Sequence, residues 1–191
     1  MKLGCVVMAA GTSSRFGANK LAQMIDGKSA FQRSLEAIPA ELFNSTVVVT
    51  NSSLFSETVK EFNFTEIRNS FPEKGVSHTI SLALSTLLNC DGVLFCVADQ
   101  PFLQRSSVEN LIQLWLTAPE KIAALACGGA RGNPCLFPAR YFSELLTLQG
   151  DRGGSAVIQK HEDQLLLLET DPIELQDIDT PQQLDELIKT I

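Results

Sequence analysis

Leu3-Gly4-Cys5-Val6-Val7-Met8-Ala9-Ala10-Gly11-Thr12-Ser13-Ser14-Arg15-Phe16-Gly17-Ala18-Asn19-Lys20 stands almost at the start of this 191-residue chain. An apolar run passes directly into small residues and then into two cations. The apolar part, without a polar position inside it, reads as a strand covered on both faces. The small residues let backbone N–H groups come close to an anion, and Arg15 and Lys20 add positive charge, so the whole segment describes a phosphate cradle. It is neither of the two common cradles. A Walker A loop has four residues between its glycines and a lysine directly after the second. Here five residues separate Gly11 from Gly17 and the lysine comes three later. The G-x-G-x-x-G dinucleotide fingerprint is absent as well.

Outward from this segment, short β-branched runs alternate with stretches of helical period, the pattern of βαβ units around a mostly parallel sheet. Strands are expected at 3–9, 46–50, 64–68, 93–98, 122–127, 135–137 and 165–169. Helices are expected at 29–38, 54–62, 77–88, 106–116, 139–148 and 180–191. The clearest helix opens at Ser77, a hydroxyl placed to cap it, and carries Ile80, Leu82, Ala83, Leu84, Leu87 and Leu88. No linker, repeat or low-complexity tract interrupts the alternation. The expectation is one three-layer α/β domain over 1–191, with function at the carboxyl ends of its strands.

Apolar residues make up 45 % and charged residues 19 % of the chain, enough for a core and too little charge for disorder. Fifteen Lys and Arg against 22 Asp and Glu give a net charge of −7, which repels a polyphosphate backbone and argues against nucleic acid as a partner. No stretch approaches the ~18 consecutive apolar residues of a membrane span. The five cysteines, Cys5, Cys90, Cys96, Cys127 and Cys135, contain no C-x-x-C pair and read as reduced core thiols, so a soluble cytoplasmic protein is expected. Trp115 and the phenylalanines fall at core spacing, and His78 and His161 read as surface or capping residues.

Two more clusters carry chemistry. Ala98-Asp99-Gln100-Pro101 closes the most apolar strand, and a carboxylate there is well placed to hold a hard divalent cation beside phosphates. In Gln176-Asp177-Ile178-Asp179-Thr180-Pro181 either aspartate could join it, while Thr180 and Pro181 start the last helix. Octahedral Mg²⁺ needs only one or two carboxylates besides phosphate and water, so Asp99 with one partner suffices.

The segment from Ala9 to Lys20 resembles the A-A-G-x-S-x-R-x-G-x-x-K signature of the nucleotidyltransferases that make molybdenum-cofactor dinucleotides. The resemblance continues through Gly75-Val76-Ser77, Asp99-Gln100-Pro101, Arg131-Gly132-Asn133-Pro134-Cys135-Leu136-Phe137, Gly150-Asp151-Arg152-Gly153 and Asp177-Ile178-Asp179-Thr180-Pro181, in the family's order. The start Ala-Ala-Gly, with Arg-Gly-Asn-Pro and Gly-Asp-x-Gly, is most similar to the molybdenum cofactor cytidylyltransferase branch. Three positions depart from the pattern. Asn133 stands where His is frequent, Ser155 where Arg is often found, and His78 where a small residue is usual.

The resemblance implies a Rossmann-like nucleotidyltransferase fold and transfer of a nucleoside monophosphate from an NTP to an acceptor phosphate, with release of pyrophosphate. By it, Arg15, Lys20 and Asp99 are the catalytic residues. Ala9, Ala10, Gly11, Gly75 and Ser77, with Arg15 and Lys20, meet the nucleotide. Arg131, Gly132, Asn133, Pro134 and Gly153 meet the acceptor, and Asp99 with Asp179, preferred to Asp177 on motif position, holds Mg²⁺. The implied donor is CTP before other NTPs, the acceptor a molybdopterin-type compound, and a molybdoenzyme or its chaperone is the candidate recipient. Three alternatives stay open: a guanylyltransferase of the same cofactor, a transferase for another phosphorylated acceptor such as a sugar phosphate, and a non-catalytic carrier of nucleotide or cofactor. The departures all lie on the acceptor side or near the base, so nucleotidyl transfer rests on more residues than the acceptor does.

Overall fold

A computed structural model describes residues 1–11 and 19–189. In chain order its elements begin with β1 (Leu3–Ala9), the short pair β2 (Met24–Ile25) and β3 (Lys28–Ser29), α1 (Ala30–Glu36) and β4 (Ser45–Thr50). They continue with α2 (Ser56–Glu61), β5 (Thr65–Arg68), α3 (Val76–Leu84), β6 (Gly92–Val97) and α4 (Arg105–Leu116). The last are β7 (Ile122–Cys127), β8 (Ala130–Pro138), α5 (Phe142–Leu146), α6 (Ser155–Ile158), β9 (Leu165–Glu169) and α7 (Pro181–Ile188).

Seven strands form one sheet in the order β5-β4-β1-β6-β8-β7-β9. All pairings are parallel except those of β8, which runs against both β6 and β7. Each expected strand is present. β8 is longer than the expected 135–137, because Ala130 and Arg131 continue the hairpin with β7 in the register Ala126 to Arg131 and Cys127 to Ala130. Its reversal matters for the site. The beginning of β8, with Arg131 and Gly132, lies at the same sheet edge as the carboxyl ends of β1 and β6.

Helices cover both faces, which gives the three layers. Cys5, Val7 and Ala9 of β1 face a core built with Phe31 and Leu35 of α1, Val59 of α2, and Val108, Leu111, Ile112 and Trp115 of α4. Val6 of β1 and Ala10 face the other, with Ile80, Ala83 and Leu84 of α3, Phe142 and Leu145 of α5, and Val157 and Ile158 of α6. This alternation is why the first strand tolerates no polar residue. At ~25 cal/mol per Å² of apolar surface removed from water, each fully buried Val, Leu or Phe stabilises the fold by roughly 1.5–3 kcal/mol. A third, smaller core joins Ile25, Ala30, Phe102, Ile178 and Leu184.

Four local expectations are corrected. Ser77 does not cap α3: the cap position is Gly75, with no side-chain bond, and Ser77 is buried inside the first turn. That helix ends at Leu84, because the hydroxyls of Ser85 and Thr86 bond back to the carbonyls of Leu82 and Ala83 and tighten the last turn. Cys127, at the end of β7, is only half-buried, whereas the other four cysteines are buried thiols. Phe71 is 50 % exposed, outside the core its residue type suggested. The β2–β3 hairpin and α6 were not expected. Asp26 and Gly27, both at positive φ (49° and 80°), form the two-residue turn of that hairpin. Among the described residues no helix is long and apolar enough to cross a membrane.

Candidate active site

β1 and β6 end side by side, Met8 opposite Val97, and the Ala98 N–H donates to the Met8 carbonyl at 3.1 Å. Ala9 and Ala10 are buried, while Gly11 is exposed, with no other described residue within 4 Å of where a side chain would begin. Asn51, just past β4, donates from Nδ2 to the carbonyls of Ala10 and Gly11 at 3.1 and 3.3 Å and fixes the departing backbone. Sequence reading missed Asn51, since a single polar residue after a strand carries no spacing signal. Arg15 lies outside the described residues.

Lys20, Asp99 and Asp179, far apart in sequence, meet at this edge. The Lys20 ammonium donates to Asp99 Oδ2 at 2.7 Å and to Asp179 Oδ1 at 3.2 Å. Its side chain is 15 % exposed, against 24 % for Asp99 and 43 % for Asp179. Burial works against the charge on Lys20, but the hydrogen bonds and charges of Asp99 and Asp179 outweigh it and raise its pKa above the ordinary lysine value.

Each of the three is held from below. Lys20 begins a 3-10 turn capped by the Asn19 side chain on the Leu21 N–H, with Leu21 buried. Asp99 follows Ala98, whose carbonyl accepts from Ser34 Oγ at 2.8 Å. The segment carrying Asp179 is tied back to β6 by the Ile178 N–H, which donates to the Asp99 carbonyl at 2.9 Å, and Ile178 itself sits in the third core. Thr180 then caps α7 in a capping box with Gln183.

Asp177 sits beside this pair and takes a hydrogen bond from Gln100 Nε2 at 2.9 Å. Partial withdrawal of its carboxyl from water, reinforced by the charge of Asp99, raises its pKa despite the opposing pull of Gln100 and Lys20. Of the two aspartates flanking Ile178, only Asp179 is bonded to Lys20 among the contacts described. Gln100 also donates to the Leu175 carbonyl, and its Oε1 is buried with no partner among the described residues, an arrangement stability alone does not favour.

The remaining motifs meet one another around α3 and β8. The Ser77 N–H donates to the Gly150 carbonyl at 3.1 Å. Gly75 has φ +83°, and a Cβ there would stand 2.4 Å from Gly150 backbone atoms, so the two motifs touch through bare backbone. Gly153 lies against Val76, and Gly154 packs on Phe137 of β8. Gly132 is covered by Leu175, which links the start of β8 to the Gln100 and Asp177 contacts. The peptide between Asn133 and Pro134 is cis. Cys135 Sγ donates to the Gly132 carbonyl at 3.2 Å, and burial, against the pull of Arg131, lifts its thiol to about 11, too high for a nucleophile at neutral pH.

The geometry therefore offers an exposed backbone turn at Gly11 where β1 ends, a half-buried cation shared by two carboxylates at the same edge, and a second group of small residues with Arg131 there. A model of the MobA-like NTP transferase domain matches residues 5–165. The chain belongs to that family. As a MobA-like nucleotidyltransferase it is 30 % identical over 195 aligned positions to the purine catabolism protein PucB of Bacillus subtilis, covering 94 % of this chain and 93 % of PucB.

Its fold is that of Rv0371c from Mycobacterium tuberculosis, at TM-score 0.84 and 20 % identity over 99 % of this chain and 98 % of the other. A complex of Rv0371c with manganese superposes at TM-score 0.77 and 18 % identity, covering both chains fully. CMP:2-keto-3-deoxy-manno-octonic acid synthetase complexed with CTP shares the fold at TM-score 0.74 and 14 % identity, over 100 % of this chain and 98 % of that one.

Proposed function

We propose that this MobA-like transferase moves CMP from CTP to the phosphate of a molybdopterin-type acceptor and releases pyrophosphate, with Mg²⁺ as its cofactor. The observation that carries the reading is the shared cation site at the sheet edge: one ammonium within hydrogen-bond reach of Asp99 and Asp179, beside the backbone cradle of Ala9, Ala10 and Gly11. In-line displacement at an α-phosphate needs little covalent help from protein, so alignment and charge neutralisation supply the rate. An oxygen of the acceptor phosphate attacks the α-phosphorus, the bond to the bridging oxygen breaks, and pyrophosphate carries the negative charge away.

The residues present fit a divalent cation. Asp99 and Asp179 direct carboxylate oxygens to one cation, the hard oxygen donors that Mg²⁺ takes beside phosphate and water, and these two residues would hold it. When bound there, the ion would neutralise charge on the phosphates. Rv0371c, of the same fold, has been crystallised with manganese. Lys20 is held protonated by its surroundings and serves the developing negative charge, together with Arg15 from the same loop. The backbone at Gly11 takes the triphosphate. Gly75 and Ser77 are assigned to the base. Arg131, Gly132, Asn133, Pro134 and Gly153 are assigned to the acceptor.

CTP is preferred on the Ala-Ala-Gly start of the loop, and a CTP-bound protein of the same fold agrees with a pyrimidine donor. The test is pyrophosphate release from CTP, GTP, ATP and UTP with Mg²⁺, with and without molybdenum cofactor. Release fastest with CTP and dependent on the cofactor is the expected result. Turnover that ignores the cofactor and responds to another phosphorylated acceptor would reassign the acceptor and turn attention to Asn133 and Ser155.

A further inference from the structure

The position between Asp99 and Asp179 is filled by a cation from the chain itself, the Lys20 ammonium. We propose that Lys20 acts as a built-in placeholder for the divalent metal, so that metal and nucleotide bind only together. The inference rests on the nucleotidyl-transfer reading and adds how that site is regulated.

Three observations carry it. First, the Lys20 ammonium sits 2.7 Å from one carboxylate and 3.2 Å from the other, occupying the oxygens that these two aspartates would offer a metal ion. Two cations cannot share that point, so the ammonium must leave before a metal enters. Second, among the described residues no group of three or more His, Cys, Asp or Glu is arranged to hold a metal, so Asp99 and Asp179 alone would hold an ion only weakly and an ammonium lodged between them competes with it effectively. Third, the backbone of the lysine is fixed, while its head is held only by the two carboxylates. Asn19 and the buried Leu21 anchor the backbone on either side, and the unbranched, rotatable lysine stem leaves the ammonium able to turn from the aspartates to another anion.

A lysine drawn off the aspartates needs another anion, since moving a half-buried ammonium away from two carboxylates without a replacement is costly. A triphosphate docked on the Gly11 backbone supplies it. The same phosphates contribute the oxygen ligands that the two aspartates lack. Each ligand thus removes what opposes the other, which is positive coupling, and the coupling is reciprocal. The consequence for the enzyme is that no metal waits in the site without a nucleotide.

The experiment is Mn²⁺ binding to the full chain, followed by calorimetry and by electron paramagnetic resonance of free Mn²⁺, with and without α,β-methylene-CTP. The wild type should bind Mn²⁺ about tenfold or more tightly with the analogue than without it. Lys20→Met should bind one Mn²⁺ in the absence of nucleotide, about tenfold or more tightly than the wild type, with a larger rise in melting temperature on adding Mn²⁺. Lys20→Arg, which keeps the charge, should exclude Mn²⁺ as the wild type does, and adding Asp99→Asn to Lys20→Met should remove the new site.

Equal Mn²⁺ affinity of wild type and Lys20→Met without nucleotide would overturn the placeholder role, as would tight binding by Lys20→Arg. If the wild type still binds the analogue in a metal-dependent way, the nucleotidyl-transfer reading survives that result. If it binds no analogue with or without Mn²⁺, both fall.

Discussion

Three glycines in the two motifs that meet beside α3 should respond very differently to alanine. At Gly75 the backbone has φ +83°, ψ −178°, a region open essentially to glycine alone, so an alanine there costs about 1–3 kcal/mol in strain. Its Cβ would also stand 2.4 Å from the Gly150 carbonyl carbon and oxygen. Backbone cannot yield as the end of a side chain can, so the Gly150 loop must move and the 3.1 Å bond from the Ser77 N–H is lost. That adds about 0.5–1.5 kcal/mol, bringing Gly75→Ala to about 1.5–4.5 kcal/mol. At Gly150, φ is +62° with no described residue within 4 Å of where a Cβ would stand, so only the left-handed penalty of about 1 kcal/mol applies. At Gly153 a Cβ meets only Val76 at an ordinary 3.6 Å, and the change should lie within about 0.5 kcal/mol of neutral. In urea unfolding the midpoints should fall in that order. By thermal scan Gly75→Ala should lose about 3–18 °C, at about 2–4 °C per kcal/mol for a chain of this size. A Gly75→Ala protein within 2 °C of wild type, or a Gly153→Ala protein as damaged as Gly75→Ala, would refute the close backbone approach on which the reasoning rests.

Lys20→Ala and Asp99→Ala should each lower pyrophosphate release from CTP by about 10²–10³, the range for loss of one charge-stabilising group, while melting temperature falls only a few degrees. Asp177, whose carboxyl is held above its ordinary 3.8 in the folded chain, binds its proton more tightly folded than unfolded, so wild-type stability falls as pH rises through that interval. Asp177→Asn should therefore match the wild type near pH 3 and gain on it as pH increases, which melting curves across pH would show; a gain that grows toward acid would contradict it. Ile178→Ala should cost about 2–5 kcal/mol in denaturant unfolding and Ile178→Val about 0.5–1.5, with kcat falling more than KM rises, because the side chain anchors Asp179 without touching substrate. Thr180→Ala removes the capping box of α7 and should cost about 1 kcal/mol, read in the same unfolding series.

How much of this could be read from the chain follows from the distance over which each feature is determined. The strands were legible because burial on both faces demands an unbroken apolar run, and β1 and β6 meet that demand at nearly every position. The start of α7 was legible because Thr180, Pro181 and Gln183 act on one another within a single turn. The β2–β3 hairpin is equally local, and its signal is Asp26-Gly27 between two pairs of extended residues, strands too short to show an apolar run. The cap of α3 was misassigned for the opposite reason. Ser77 had the residue type of a cap, yet what holds the first turn is the carbonyl of Gly150, 73 positions away, and no local pattern announces a partner in another loop.

The same reasoning separates the parts of the site. Lys20, Asp99 and Asp179 could each be picked out by type and place at the end of a strand or the start of a helix. That they share one point depends on Ile178 bonding to the Asp99 carbonyl and filling the third core with Phe102 and Leu184. Those residues look like ordinary core in the sequence, and they decide which of two adjacent aspartates reaches the lysine. Side chains alternate about an extended segment, so fixing Ile178 inward sends its neighbours Asp177 and Asp179 outward from it, and the backbone bond to Asp99 together with the capped start of α7 sets Asp179 against Lys20 while Asp177 is taken by Gln100. The pairing of charges is thus settled by an apolar residue and a helix cap, and the acidic chemistry of the site is inseparable from the packing beneath it.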